Sequence, residues 1–213
     1  MTERRLRERK AEEFFEDLWK RGDPWELETA AFEQARYARQ LRILEGRRYA
    51  HALEIGCGAG AFTRLLTGIA DRVLAVDVSP AAIARAERMQ DLAPGGAEFR
   101  AANIMEYDPA AEGPWDLVVL SETIYYLGWL YSFFDVGWLS FQLHTATSDG
   151  GRLLLANTFG DGEDYLLRPW VIRTYRDLFV NVGYRIESEE IFHGVKSGAD
   201  IEVLMSLFTK SPP

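Results

Sequence analysis

The run Leu53-Glu54-Ile55-Gly56-Cys57-Gly58-Ala59-Gly60 decides the fold. It reads as a strand that ends in a Gly-x-Gly-x-Gly turn and opens a helix. Gly56 and Gly58 lack a Cβ and so permit a tight turn and close backbone approach to a ligand. The helix start leaves free N–H groups and a positive dipole end, which suit a carboxylate or a phosphate. Twenty-three residues after Glu54, the strand Arg72-Val73-Leu74-Ala75-Val76 ends in Asp77. A carboxylate there accepts from both hydroxyls of a ribose, as it does in nucleotide-binding sheets. Loop and acid together make an adenosine site.

Around this motif short apolar runs alternate with helical segments, the signature of β-α-β units and a parallel sheet. Strands are expected near 51–56, 72–77, 97–101, 115–121 and 151–156, and helices near 61–68, 80–89, 128–146 and 169–181. Two further strands, near 184–192 and 200–208, are joined only by His193 to Ala199. That connection is too short for a parallel crossover, so an antiparallel hairpin is expected. Ahead of the sheet, Phe14, Phe15, Leu18 and Trp19 form an apolar helical stripe. Gly22-Asp23-Pro24 breaks the chain, and a second helix is expected from about Glu28 to Glu45. The whole reads as one domain over 1–213, with a helical extension or lid at 1–46 and an α/β, Rossmann-like core at 47–213. The core is a seven-stranded, mostly parallel sheet with an antiparallel C-terminal strand and helices on both faces.

Composition narrows the function. The 213 residues are 47% hydrophobic and 27% charged, enough for a sizeable core. Lys plus Arg is 24 against 33 for Asp plus Glu, a net charge of −9 that argues against a nucleic-acid partner. The basic run Arg4, Arg5, Arg7, Arg9 and Lys10 reads as a solvated helix face. Cys57 is the only cysteine, which excludes an internal disulfide and a cysteine zinc cluster and points to a reducing cytoplasm. The N-terminus lacks a signal-peptide pattern and no apolar run is of spanning length, so a cytoplasmic protein without a membrane partner or a metal is expected. Cys57 fills the small position of the glycine turn and has no neighbouring histidine to make it a nucleophile. His51 starts a strand at the end away from the site. His144 lies late in an aromatic-rich helix, and His193 sits in the hairpin, where it can approach a substrate.

The loop alone leaves the cofactor open, because Gly56 to Ala61 also satisfies the dinucleotide pattern G-x-G-x-x-[G/A]. Three features favour S-adenosylmethionine over NAD. Glu54 would repel a pyrophosphate but suits an ammonium or sulfonium group. The chain ends soon after its sheet, with no appended catalytic domain of the dehydrogenase kind. The antiparallel hairpin belongs to a different sheet plan. On these residues the chain, from about Tyr49 to Lys210, resembles the class I S-adenosylmethionine-dependent methyltransferases. The resemblance implies that Glu54 and the backbone at Gly56, Cys57 and Gly58 face the methionine moiety, that Asp77 holds the ribose and that Val78 lies along the adenine. It also puts Asn103 where the family usually has an acid for the adenine amino group, Ile104 against the ring, and the Ser121 carbonyl near the methionine amino group. S-Adenosylhomocysteine is then the product.

Ligands of open α/β sheets lie across the carboxyl ends of the strands. Those ends supply Glu122, Tyr125 and Tyr126 after the fourth strand, and Asn157, Thr158, Asp161, Glu163, Asp164 and Tyr165 after the fifth. Glu122 is expected to take or orient the acceptor's proton, while Tyr125 and Tyr126 either position the acceptor or pack the loop. The segment Asp23 to Thr29, followed by Tyr37, Arg39 and Leu41, reads as a cover, with Trp25 stacking and Arg36 or Arg39 near the methionine carboxylate. Together with Leu120-Ser121-Glu122-Thr123-Ile124-Tyr125-Tyr126-Leu127, it resembles the nodulation protein S-like N-methyltransferases. Those enzymes methylate the free amine of an amino-sugar oligosaccharide. An acidic rim of Glu122, Asp161, Glu163 and Asp164 either attracts such an amine or is a solvated loop. N-methylation of a small-molecule amine is therefore expected. The alternatives are a small-molecule O-methyltransferase and a non-catalytic, cofactor-binding partner subunit. Trp129, Tyr131, Phe133, Phe134, Trp138 and Phe141 read as core, and the first five serve equally well as a homodimer face.

Overall fold

The computed structural model describes residues 3–88, 96–160 and 164–211. Helices α1 (Glu3–Lys20) and α2 (Ala31–Ile43) precede strand β1 (Tyr49–Ile55). The chain continues through α3 (Ala61–Leu66), β2 (Ala70–Asp77), α4 (Pro80–Arg88), β3 (Ala97–Ala101) and β4 (Trp115–Ser121). Next come α5 (Ile124–Leu130), α6 (Phe133–Ala146), β5 (Thr147–Phe159), α7 (Pro169–Asn181), β6 (Tyr184–Lys196) and β7 (Ala199–Lys210). The sheet order is β3-β2-β1-β4-β5-β7-β6. The first five strands are parallel, and β7 inserts antiparallel between β5 and β6. Strand order reverses between β1 and β4, so the connections leaving their carboxyl ends diverge and open a crevice. This is the expected Rossmann-like plan.

Both faces of the central strands are covered, which is why these strands read as continuous apolar runs. Leu53, Ile55, Leu74, Val76, Val118 and Leu120 pack against Leu127 of α5, Leu139 of α6 and Phe179 of α7. Ala52, Val73, Leu117 and Val119 face the other way, onto Phe62 and Leu66 of α3 and Tyr37 of α2. Trp115 is fully buried at the start of β4 and donates its indole N–H to the Pro109 carbonyl at 2.6 Å. Among the described residues, no helix is long and apolar enough to cross a membrane.

The single helix expected over 128–146 is two helices. Tyr131 leaves α5 in an extended conformation, and Ser132 starts α6 with a capping box. The Ser132 hydroxyl accepts from the Asp135 N–H at 3.2 Å, and the Asp135 carboxylate accepts from the Ser132 N–H at 3.3 Å. The aromatic residues there are not core, except Tyr131. The inward stripe of α6 is Val136, Leu139, Ser140 and Leu143, which turns Phe133, Phe134, Trp138 and Phe141 outward; Phe134 is 87% exposed. Two apolar stripes share this helix, and periodicity alone does not say which faces the sheet.

Three boundaries also differ. The hairpin turns at Ser197 and Gly198 alone, both at positive φ, so its strands are longer than expected. The start of α2 falls at Ala31 rather than Glu28, because the Asp23 carboxylate accepts from the backbone N–H groups of Trp25 and Glu28 and holds a turn there. The helix expected to residue 89 is described to Arg88, and 89–95 lie outside the described residues. The side chains of Arg4, Arg5 and Arg7 also lie outside them, whereas Arg9 and Lys10 are exposed.

The N-terminal segment is strapped to the core. Glu16 of α1 accepts from the Ser79 hydroxyl at 2.7 Å and the Ala81 N–H at 2.9 Å, so α1 caps the start of α4. Those two bonds hold the Glu16 carboxyl below its ordinary pKa. Arg85 of α4 donates to Glu28 at 2.8 Å and 3.3 Å. Residues 21–30 therefore cross the carboxyl end of the sheet as a band.

Candidate functional site

Under that band lies a cavity of about 380 Å³ at the carboxyl ends of the parallel strands. Its floor is the glycine loop. The N–H groups of Gly56 and Cys57 donate to the Val76 carbonyl at 2.8 Å and 3.1 Å, folding the loop against β2. Gly56 and Gly58 have φ of +76° and +54°, and a Cβ on either would meet protein atoms. At Gly56 it would stand 2.3 Å from Thr123 Oγ1, and at Gly58 2.7 Å from the Trp19 ring. Close approach at this loop is thus used by the chain itself, through Thr123 after β4 and Trp19 of α1.

Two carboxyl groups flank the loop. The Asp77 carboxylate accepts backbone N–H groups from Gly58 and from Ser79, both at 2.9 Å, with the Val78 N–H also lowering its pKa. Burial raises the Asp77 pKa, and these bonds oppose the rise. Glu54 is 3% exposed and accepts from the Thr63 hydroxyl at 2.5 Å. Burial, opposed by that hydroxyl and reinforced by the charge of Asp77, pushes its pKa up to about 8. Its environment favours the charged form only with a cation beside it. The Cys57 thiol is buried and pushed up by that burial, which fits a structural role.

The end of β4 carries a denser network. Ser121 Oγ accepts from Arg36 at 2.8 Å and from Gln40 at 3.0 Å. Glu122 has a left-handed backbone at φ +56° and donates its N–H to the Ala156 carbonyl at 2.8 Å. Its carboxylate accepts from the Thr158 N–H at 3.0 Å, the Tyr125 hydroxyl at 2.9 Å and Arg36 at 3.4 Å. Arg36, 2% exposed, also donates twice to Glu33 Oε2, at 2.8 Å and 2.5 Å. Burial works against this guanidinium charge, yet Glu122, Tyr37 and Glu33 carry its pKa above the ordinary value. Glu33 in turn accepts from Lys196 Nζ at 2.6 Å, and the same ammonium donates to the Trp25 carbonyl at 2.6 Å.

An aromatic wall closes the chamber. Phe15, Trp25 and Tyr126 stand with ring centroids 5.0–6.4 Å apart, and Tyr125 lies 4.5 Å from Tyr126. Val78, Asn103 and Ile104 also line the cavity. Asn103 donates to the Tyr131 hydroxyl at 2.8 Å, and its side-chain oxygen accepts from the Met105 N–H at 3.1 Å.

Of the residues expected to hold the cofactor, Trp25, Glu54, Gly56, Cys57, Gly58, Asp77, Val78, Asn103, Ile104 and Ser121 line this cavity, as do Glu122, Tyr125 and Tyr126, whereas Arg36 stands behind the wall, spent on Glu33, Ser121 and Glu122. Arg39 pairs with Glu190 and also stays off the cavity. Asp164 and Thr158 line it, whereas Asp161 and Glu163 lie outside the described residues. Asn157 is buried off the cavity and Tyr165 is exposed. His193 is exposed beside Glu202, His51 packs on Trp115 at 4.1 Å and His144 on Tyr184 at 4.9 Å; none reaches the cavity. The sequence reading missed Glu33, Lys196 and Phe15. Glu33 and Arg36, three apart on a helix, look like a surface pair; the signal against that is their flanking by Phe32 and Tyr37. Among the described lining residues, five are acidic (Glu33, Glu54, Asp77, Glu122 and Asp164) and one, Lys196, is basic.

Comparison with known proteins gives a consistent picture. A family model described as nodulation protein S matches residues 9–131. Nodulation protein S of Bradyrhizobium diazoefficiens is 42% identical over 154 residues, 70% of this chain and 66% of that protein. Its counterpart from Sinorhizobium fredii is 38% identical over 153 residues, 70% of this chain and 64% of that protein. The alignments therefore span just under two thirds of the length of those relatives. Among solved structures, the N-methyltransferase NodS from Bradyrhizobium japonicum WM9, in complex with S-adenosyl-L-homocysteine, superposes with a TM-score of 0.78. It is 24% identical, with 95% of this chain and 99% of that chain covered.

Proposed function

The chain belongs to the nodulation protein S family, and from that premise we propose that it is an S-adenosylmethionine-dependent methyltransferase acting on the amine of a small molecule, such as an amino sugar. The observation that carries the reading is the acidic lining of the chamber: besides Glu33 and Glu122, which are paired with Lys196 and Arg36, it holds Glu54, Asp77 and Asp164, enclosed by rings. Such a lining favours cations, which suits both a sulfonium cofactor and an amine acceptor.

The residues present fit that cofactor. Glu54 would accept from its ammonium group, the loop backbone at Gly56 to Gly58 would face the methionine end, and the Asp77 carboxylate would take the ribose hydroxyls. Val78, Ile104 and Asn103 would hold the adenine. Bound there, S-adenosylmethionine supplies a methyl carbon activated by sulfonium for in-line displacement. The protein's part is alignment and exclusion of water. The rings of Phe15, Trp25 and Tyr126 close the chamber, and residues 1–27 act as its lid.

Glu122 orients rather than deprotonates. With Arg36, the Thr158 N–H and the Tyr125 hydroxyl already on its carboxylate, it fixes Tyr125 in the acceptor wall and contributes negative potential. An amine that arrives neutral needs no base before attack, whereas a sugar hydroxyl does. The test is a transfer assay with methyl-labelled S-adenosylmethionine and a panel of amino sugars beside their N-acetylated forms. Label on the free amines only, at a rate rising with pH as the ammonium loses its proton, supports the reading. Label on hydroxyl groups, or on the N-acetylated sugars, contradicts it.

A further inference from the structure

Lys196 stands out because it is the only basic group among the described lining residues and because it bridges elements far apart in the chain. It is the last of the 13 residues of β6, the outer strand of the terminal hairpin. The middle of this strand is tied to α2 by the Arg39–Glu190 pair. Nearer the tip, Gly194 packs under Phe32 of α2, where a Cβ would come within 2.7 Å of the ring. At the tip, Lys196 Nζ donates both to Glu33 of α2 and to the Trp25 carbonyl, each at 2.6 Å. Trp25 belongs to the band over the cavity, whose other side is held by Glu28 on Arg85 of α4.

We propose that Lys196 is a positioning residue: it latches the band at Trp25 over the cofactor chamber and, through Glu33 and Arg36, sets Glu122 and Tyr125 in the acceptor wall. The charges alternate along this ladder, Lys196, Glu33, Arg36, Glu122, and it joins the hairpin tip, α2 and the loop after β4. The Lys196 side chain is 23% exposed and that of Glu33 6%, so water screens the pair far less than an ordinary surface ion pair. Removing the ammonium takes the donor away from Glu33 Oε1 and from the Trp25 carbonyl at once. The band then opens more often, and what it encloses leaves faster. The cofactor part of this inference rests on the methyltransferase reading, while the latch itself does not.

The test compares Lys196→Met and Lys196→Arg with the wild type in the full chain. Amide hydrogen exchange of residues 23–30 is measured without cofactor, and release of S-adenosylhomocysteine is followed by stopped-flow tryptophan fluorescence. In Lys196→Met, both rates rise by about tenfold or more, the worth of a charged hydrogen bond, with exchange in the central strands unchanged. Lys196→Arg restores both to near the wild-type values. The latch is overturned by wild-type rates in Lys196→Met, by exchange that accelerates throughout the sheet, or by Lys196→Arg behaving like Lys196→Met. Accelerated exchange at 23–30 in a protein that binds no S-adenosylhomocysteine would leave the latch standing and remove the cofactor reading.

Discussion

A carboxyl group as enclosed as Glu54 makes stability and ligand binding depend on pH in a calculable direction. Its pKa rises from an ordinary 4.5 to about 8 in the folded chain. Between those values the folded state holds a proton that the unfolded state has lost, so the contribution of Glu54 to stability falls as pH rises through that window. Glu54→Gln should therefore melt close to the wild type at pH 4.5 and above it at pH 8 and beyond. A cation that binds beside Glu54 restores its charge, so S-adenosylmethionine binding at pH 7 should release a proton. Calorimetry in buffers of different ionisation heat reads that proton, and Glu54→Gln should abolish its release. Asp77→Ala should weaken cofactor binding by about 1.5–3 kcal/mol, the worth of charged-group hydrogen bonds; unchanged affinity would remove Asp77 from the site. The places of these two acids beside the loop were legible in the sequence because backbone geometry demands glycine in the turn, which fixes where β1 and β2 end. Arg36 was not, because an arginine near a cofactor carboxylate and an arginine spent on Glu33 and Glu122 look alike until burial is known.

At the scale of elements, the pattern of strands was readable and the helix faces were not. The parallel strands follow from apolar runs separated by helical stretches, and the hairpin from the shortness of its turn. In α6 the apolar residues fill two stripes, and the sheet takes the aliphatic one. This assignment predicts opposite outcomes for two substitutions of similar chemistry. Leu143→Ala, from full burial, should cost about 2–5 kcal/mol in denaturant unfolding. Phe134→Ser, at 87% exposure, should stay within about 0.5 kcal/mol of the wild type. Equal losses would mean that the helix is rotated from the register described. The break at Tyr131 was hidden for a related reason: the capping pair Ser132 and Asp135 is interleaved with the aromatic residues Tyr131, Phe133 and Phe134, whose apolar content masks the helix start.

The molecule as a whole combines a sheet that positions a loop with an N-terminal segment that covers it. Trp19, Glu16 and Glu28 join that segment to the glycine loop and to α4, and Lys196 at the hairpin tip donates to its Trp25 carbonyl; none of these contacts is part of the pairing between strands, so the segment can be removed without opening the sheet. Deleting residues 1–27 should leave a cooperative unfolding transition and weaken cofactor retention by about tenfold or more; retention equal to the full chain would make the segment structural only. The cavity's acidic bias was partly visible as a rim of carboxylates, but its enclosure by α1 and by the hairpin tip needed the tertiary fold, because those elements lie at the two ends of the sequence. What most directly tests the whole account is calorimetric titration of the purified chain with S-adenosylmethionine, S-adenosylhomocysteine and NAD side by side. Binding of the first two and not the third is the predicted result. Binding of NAD alone would contradict it and return the glycine loop to its dinucleotide reading.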